Sequence, residues 1–309
     1  MVDNPFLSII IAAHNCEKTI DETFNSLINA LNSSIAESEI IIINDGSDDS
    51  SAERIAELSS RYSQVYVSTV NYKNIGKVRQ HGISLSRGKY ITMLDSDDIL
   101  KAGSLSPIFN FLHDIKPDML LTRLHEIRDL NKINHQWSGL NPEKISQDQA
   151  ITRFLIHKDL QAHLIGQFIK RDIYIENEIP PMTCYEDFYI FPKMLTQAKN
   201  IYFQFDSPYY YIKRQGSLSN TPDQQKLENL IICTERMTHL FGEKFQPLVL
   251  CHWLDIYLKY QTFLSRKSEI DIVNGYVTKT HSLRFFLAPN VRLSYKRKSI
   301  SVLRKNLKN

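Results

Sequence analysis

The sequence predicts an α/β fold, a Rossmann-like and mostly parallel sheet with helices on both faces, followed by a helical C-terminal region. Three observations predict it. Near-continuous apolar runs alternate with helically spaced apolar residues from Leu7 to Leu94. Acidic clusters stand at the ends of two of those runs, at Asp45 and at Asp95. After Gln215-Gly216-Ser217, strand-like sequence gives way to helical spacing.

Each element follows from its own pattern. Leu7–Ala12 is rich in β-branched residues and apolar at nearly every position, as in a strand buried on both faces. Ile20, Phe24, Leu27, Ile28 and Leu31 recur at helical spacing. Glu39–Ile43 is a second buried strand, and Ser51–Tyr62 a helix with Ile55 and Leu58 inward. Val65–Val70, Lys77–Ser86 and Tyr90–Leu94 complete a βαβαβαβ series, which implies right-handed crossovers. Beyond it, Asp118–Arg123 reads as a strand and Ser146–His157 as a helix. Glu186–Ala198 is a further helix, and Tyr202–Phe205 and Tyr209–Ile212 are short aromatic strands. The period is helical from Pro222 to Leu264. We therefore expect one domain over residues 1–215 and a helical region over 216–309.

At 309 residues the chain can bury a large core. Its 42% apolar and 23% charged content is that of a globular protein, and a net charge of +3 carries no nucleic-acid footprint. Cys16, Cys184, Cys233 and Cys251 form no CxxC pair, so reduced thiols in a cytoplasmic protein are expected. No run reaches the roughly 18 apolar residues of a membrane span. Phe6–Ala13 is short and follows Asp3 rather than a basic segment, which argues against a signal peptide.

Asp95-Ser96-Asp97-Asp98 directly follows the strand Tyr90–Leu94. Close carboxylates repel unless a cation compensates, and Mg²⁺ or Mn²⁺ takes carboxylate oxygens together with substrate phosphates. The carboxyl ends of strands are also where open α/β sheets bind ligands. The plain alternative is a solvated turn in which Asp97 or Asp98 caps the next helix. Asp45 ends another strand on the same predicted edge, in Asn44-Asp45-Gly46-Ser47, which also suits a tight turn. A nucleoside diphosphate lying across that edge would engage both clusters. Other nucleotide folds are excluded by what the chain lacks. No GxGxxG follows the first strand, no GxxxxGK[ST] is present, and neither GxSxG nor HExxH occurs.

These strings together resemble the family 2 glycosyltransferases of the GT-A fold. The resemblance rests on Ser8-Ile-Ile-Ile-Ala-Ala-His-Asn15, Ile40-Ile-Ile-Ile-Asn-Asp-Gly-Ser-Asp-Asp49, Asn74-Ile-Gly76 and Gly88-Lys-Tyr-Ile-Thr-Met-Leu-Asp-Ser-Asp-Asp98, in matching order and spacing. A weaker echo runs through Gly166–Arg171, Tyr185-Glu-Asp-Phe188 and Tyr209–Ser219. The resemblance implies a UDP-sugar donor, a divalent Mn²⁺ or Mg²⁺, and inverting transfer to a glycan or lipid-linked glycan acceptor. It places Ala13 and His14 at the base and Asp45 at the uracil imide. Arg79, and secondarily Lys77, fall at the nucleotide. Asp95 and Ser96 belong near the ribose and the metal, and Asp97 is the direct metal ligand. The general base is expected at Asp187, with Glu186 second, at a helix N-terminus that favours carboxylates. Arg214 is a candidate cation for the leaving diphosphate. Gln80 stands where the family often has Asn.

Some groups read as structural from the sequence alone. Tyr209, Tyr210 and Tyr211 suit core and edge better than sugar stacking. His81, His125, His163 and His252 lack metal spacing. Asn290–Asn309 mixes Leu293, Ile300, Leu303 and Leu307 with basic residues, and no acid follows Asp271. A solvated basic tail or a contact with an acidic polymer would look alike, and a peripheral contact with the inner face of the cytoplasmic membrane is the reading preferred there. Bacterial capsule or lipopolysaccharide assembly would suit such an enzyme. Two other classes stand beside this reading. A sugar-nucleotide nucleotidylyltransferase would need a Gly-rich, Arg-containing loop after the first strand, where Ala12-Ala13-His14-Asn15 stands. A non-catalytic binding module would not need Asp95, Asp97, Glu186 and Asp187 together.

Overall fold

The structure is a computed structural model that describes residues 4–129, 133–134, 136–157, 159–213 and 222–306. It divides into two units, residues 1–150 with 159–215, and residues 151–158 with 216–309.

In chain order the first unit carries β1 (Leu7–Ala13), α1 (Ile20–Leu31), β2 (Ser38–Asp45), α2 (Ser51–Arg61), β3 (Val65–Val70), α3 (Ile75–Leu85) and β4 (Tyr90–Asp95). There follow β5 (Ile99–Leu100), α4 (Leu105–Ile115), β6 (Met119–Thr122), β7 (His125–Ile127) and β8 (Glu143–Ile145). The helix α5 (Gln147–Ile156) crosses from one unit to the other. Then come β9 (Phe168–Lys170), α6 (Arg171–Ile175), α7 (Glu186–Gln197), β10 (Ile201–Gln204) and β11 (Tyr209–Ile212). The main sheet runs β3-β2-β1-β4-β9-β6-β10-β8, and a small sheet runs β5-β11-β7.

β1 to β4 pair in parallel, as the apolar runs predict. Burial on both faces explains their composition. Ile41 and Ile43 meet Val78 of α3. The fully buried Ile40 and Ile42 alternate with them and so turn to the other face. Helix α3 sits close because Gly82 has no side chain, and a Cβ there would lie 2.5 Å from the Ile10 methyl. At the opposite end of these strands, the buried Glu39 accepts from Ser8 Oγ at 2.6 Å and pairs with Arg87 at 3.0 Å.

Beyond β4, past the series read as parallel, the sheet is mixed. β9 is antiparallel to both neighbours, β4 and β6, and β8 is antiparallel to β10. Three-residue strands carry no periodicity of their own, so neighbours rather than pattern define them. Helix α3 also begins two residues before the expected Lys77, because Asn74 Oδ1 caps it by accepting from Lys77 N–H at 3.0 Å.

The second unit is helical, with α8 (Gln224–Leu240), α9 (Gly242–Tyr260), α10 (Lys267–Lys279), α11 (Leu283–Leu287) and α12 (Leu293–Asn306). The helical stretch from Pro222 thus breaks at Gly242, whose φ of +65° is left-handed. Trp253 of α9 is fully buried, stacks on Tyr276 of α10 at 4.4 Å and donates to Thr238 Oγ1 at 3.1 Å. His252 precedes it in sequence and is half-buried, with Nε2 3.1 Å from the Leu155 carbonyl. All four cysteines are free.

Candidate active site

The parallel strands bring the sequence motifs to one sheet edge. Ala12 stands opposite Asp95, and Ala13 opposite Asn44, so β1, β2 and β4 end side by side. Ala13 is buried, while His14 beyond it is exposed and places Nδ1 2.8 Å from the Asp45 carbonyl. The loops after β1 and β2 are cross-linked. Asn15 Nδ2 donates to Asp48 at 2.7 Å, and Asp48 N–H donates back to Asn15 Oδ1 at 3.0 Å. The buried Asp45 carboxylate accepts from the N–H groups of Tyr72, Lys73 and Asn74 at 2.5, 3.1 and 3.2 Å. Asp45 therefore fixes the segment that leads into α3.

The four residues after Leu94 divide the work unequally. Asp95 is half-buried, and its N–H donates to Tyr209 Oη at 3.1 Å. The Ser96 carbonyl accepts from Thr19 Oγ1 at 2.9 Å. Asp97 is half-buried. Asp98 is 0% exposed and caps no helix. It accepts from Tyr209 Oη at 2.5 Å and from Ile212 N–H at 2.8 Å, tying the end of β4 to β11. Burial, then the nearby Asp95 charge, pushes the Asp98 carboxyl up to about 8. The helix-cap alternative for Asp97 or Asp98 fails because the next element is β5, paired with β11, and α4 begins only at Leu105. Tyr209 and Tyr210 are core residues, and Tyr211 is half-buried.

Helix α3 positions the Glu186-Asp187 pair. Gly76 N–H donates to Met182 O at 3.1 Å, Asn74 Nδ2 to Pro181 O at 3.0 Å, and Ile179 N–H to Gln80 Oε1 at 2.9 Å. A Cβ on Gly76 would lie 2.1 Å from Pro180 O, so only glycine allows this approach. Gln80 therefore has a structural task here, reaching the backbone that leads to α7. Tyr185 then turns the chain with a left-handed φ of +65°, and α7 opens on Glu186 and Asp187.

One guanidinium joins the two acidic motifs. Arg79, buried on α3, donates through Nη1 to Glu186 and through Nη2 to Asp95 at 3.1 Å. Glu186 is 4% exposed. Burial raises its carboxyl, Arg79 opposes that rise, and the adjacent Asp187 adds to it, with a balance of about 7. The opposing carboxylates hold the Arg79 guanidinium firmly charged. Asp187 stays half-buried, accepting from Phe188 N–H at 2.6 Å. Its Oδ2 lies 3.7 Å from His163 Nδ1. Spacing in the sequence does not mark His163 as a site residue. Its sequence distance from Asp187 gave no signal of the contact. Lys77 is exposed on the first turn of α3, and Arg214 lies outside the described residues.

The carboxylates of Asp95 and Asp97 are hard oxygen donors of the kind Mg²⁺ and Mn²⁺ prefer. Among the described residues, no three His, Cys, Asp or Glu side chains converge as a metal cage. Two carboxylates alone fit an ion whose remaining ligands are diphosphate oxygens and water.

The sequence matches Glycosyl transferase family 2 over residues 8–170. The poly(ribitol-phosphate) beta-glucosyltransferase of Bacillus spizizenii is 30% identical over 216 residues, 68% of this chain and 33% of that protein. An Escherichia coli chondroitin synthase is 32% identical over 146 residues, 46% of this chain and 21% of that protein. The chain thus spans a third or less of these two relatives. Among solved structures, S. aureus TarS 1–349 in complex with UDP superposes with a TM-score of 0.68 at 16% identity, covering 97% of this chain and 92% of that chain. The UDP-GlcNAc complex of the same protein gives 0.66 at 18% identity, covering 89% and 80%. At such identities the likeness shows the fold, a GT-A-like sheet with C-terminal helices. With the family match extending over more than half of its length, the chain belongs to glycosyl transferase family 2.

Proposed function

We propose that this chain transfers a hexose or N-acetylhexosamine from a UDP-sugar to a hydroxyl of a glycan acceptor, with inversion at the anomeric carbon. Residues 1–215 form the catalytic domain in this reading. The observation that carries it is Arg79, which ties Asp95 on the donor side to Glu186, the neighbour of Asp187. Donor and acceptor machinery are thereby held in one rigid network. Relatives named for poly(ribitol-phosphate) and chondroitin favour a polymeric acceptor, as in bacterial capsule, lipopolysaccharide or other surface polysaccharide assembly, free or lipid-linked.

Asp187 is the general base. A sugar hydroxyl attacks in line, its proton passes to the Asp187 carboxylate, and the new C–O bond forms as the bond to UDP breaks. Glu186 is unsuited to that task because it is buried and held by Arg79. Asp97, with Asp95, would hold a Mn²⁺ or Mg²⁺ that offsets charge on the departing diphosphate. Ala13, His14, Asp45, Lys77 and Ser96 border the nucleotide, His14 being the exposed member at the strand edge. Arg214 is a further cation for the diphosphate.

The test is UDP release from a panel of UDP-sugars with Mn²⁺ or Mg²⁺, each with and without EDTA. Release from one donor that stops with EDTA is expected. Asp187→Asn should lose transfer by about 10³-fold while retaining UDP binding. Normal turnover by that variant would overturn the base assignment, and absent UDP binding by the parent chain would overturn the donor class.

A further inference from the structure

The second unit leaves an apolar and basic surface uncovered. In α11, Phe285 turns inward and is fully buried, while Leu283 and Leu287, four apart, are 79% and 77% exposed. Leu293, which opens α12, is 61% exposed. The inner face of α12 is anchored. Ser299 and Val302 are buried, Ser299 Oγ bonds Thr280, and Tyr295 and Lys298 both reach Asp255. The opposite stripe is Leu293, Arg297, Ile300 and Arg304, spaced by four, three and four and flanked by Lys296 and Leu303. Exposed leucines in such number mark a contact surface rather than ordinary surface scatter.

The charge on this stripe is of one sign. No acid follows Asp271 in the sequence. Arg284 and Lys298 are paired with Glu243 and Asp255, and Arg292 donates to the Ile156 carbonyl. Among the described residues, no carboxylate lies within ion-pair distance of Lys296, Arg297 or Arg304. A second copy of the same face would bring like charges together. An anionic bilayer fits instead, because leucines can enter the acyl boundary while neighbouring cations stay at the lipid phosphates. No helix among the described residues is long and apolar enough to cross a membrane, so the contact is one of surface docking.

We propose that α11 and the outer face of α12 dock on an anionic lipid bilayer, with Leu283, Leu287 and Leu293 as the apolar anchors. Lys296, Arg297 and Arg304 supply the charge. The experiment is co-sedimentation of the full chain with phosphatidylglycerol–phosphatidylcholine vesicles and with pure phosphatidylcholine vesicles. Binding to the anionic vesicles that weakens as salt rises is expected. The triple variants L283S/L287S/L293S and K296Q/R297Q/R304Q should each weaken partitioning on the order of a hundredfold. Lys296 is half-buried and the other five side chains are exposed, and unchanged UDP binding and circular dichroism would verify that the variants fold. Failure of the parent chain to sediment with anionic vesicles, or binding by both variants equal to that of the parent chain, would overturn the proposal. Self-association lost in the leucine variant, without vesicle binding, would assign the face to a second copy and overturn it equally.

Discussion

At the residue scale, Arg79 decides how the two acidic motifs are read. Its buried guanidinium bridges Asp95 and Glu186 in a planar, forked geometry that lysine cannot reproduce. Arg79→Lys leaves one buried carboxylate without its partner, a loss that commonly costs a few kcal/mol. We expect kcat to fall by about 10²-fold, from displaced geometry rather than from lost proton transfer. Glu186→Gln keeps the size and one acceptor oxygen, so its loss should be smaller than that of Asp187→Asn. Steady-state kinetics on both variants separate the roles. If Glu186→Gln were the more damaged enzyme, Glu186 would be the base and Asp187 the positioning group. Neither Arg79 nor Asp98 shows its task in the sequence. Asp98 meets Tyr209 across 111 residues of chain, and only the fold closes that distance.

At the scale of elements, legibility follows burial. β1 and β2 are readable because they are buried at nearly every position, hence on both faces, which demands an unbroken apolar run. β9 is not readable, since three residues held between β4 and β6 have no pattern to display. The Asn74-Ile-Gly76 string was legible as a motif, but its reason was not. Gly76 is there so that α3 can touch the 180–182 backbone and set the entry to α7. Gly76→Ala would force Pro180 away, with an expected loss of about 1–3 kcal/mol in stability. Activity should drop at least tenfold as Glu186 and Asp187 shift. Gly275 is the control. It lies exposed within α10, and a Cβ there meets nothing within 4 Å. Gly275→Ala should stabilise by about 0.5–1 kcal/mol and leave turnover unchanged. Urea unfolding and kcat for the pair measure both claims, and equal effects at the two glycines would refute the close-approach argument.

At the scale of the whole molecule, two groups, one in each unit, contribute to stability with opposite pH dependence. Asp98, in the sheet unit, has its carboxyl raised from 3.8 to about 8. Its contribution is full below the unfolded value and is lost as pH rises toward 8. His252, in the helical unit, has its imidazole depressed from 6.5 to about 4 by burial. Its contribution is full above 6.5 and is lost as pH falls toward 4. His252 is half-buried, so that shift corresponds to at most about 2 kcal/mol between pH 7 and pH 5. The two tryptophans allow this to be read separately, because Trp137 belongs to the first unit and Trp253 to the second. In a Trp137→Phe background, with EDTA present, Trp253 fluorescence follows urea unfolding of the helical unit. Its midpoint should fall on acidification from pH 7 to pH 5. With His252→Gln, which can still donate to the Leu155 carbonyl, most of that fall should vanish. A pH slope identical in both chains would mean that His252 is not what makes the helical unit acid-sensitive.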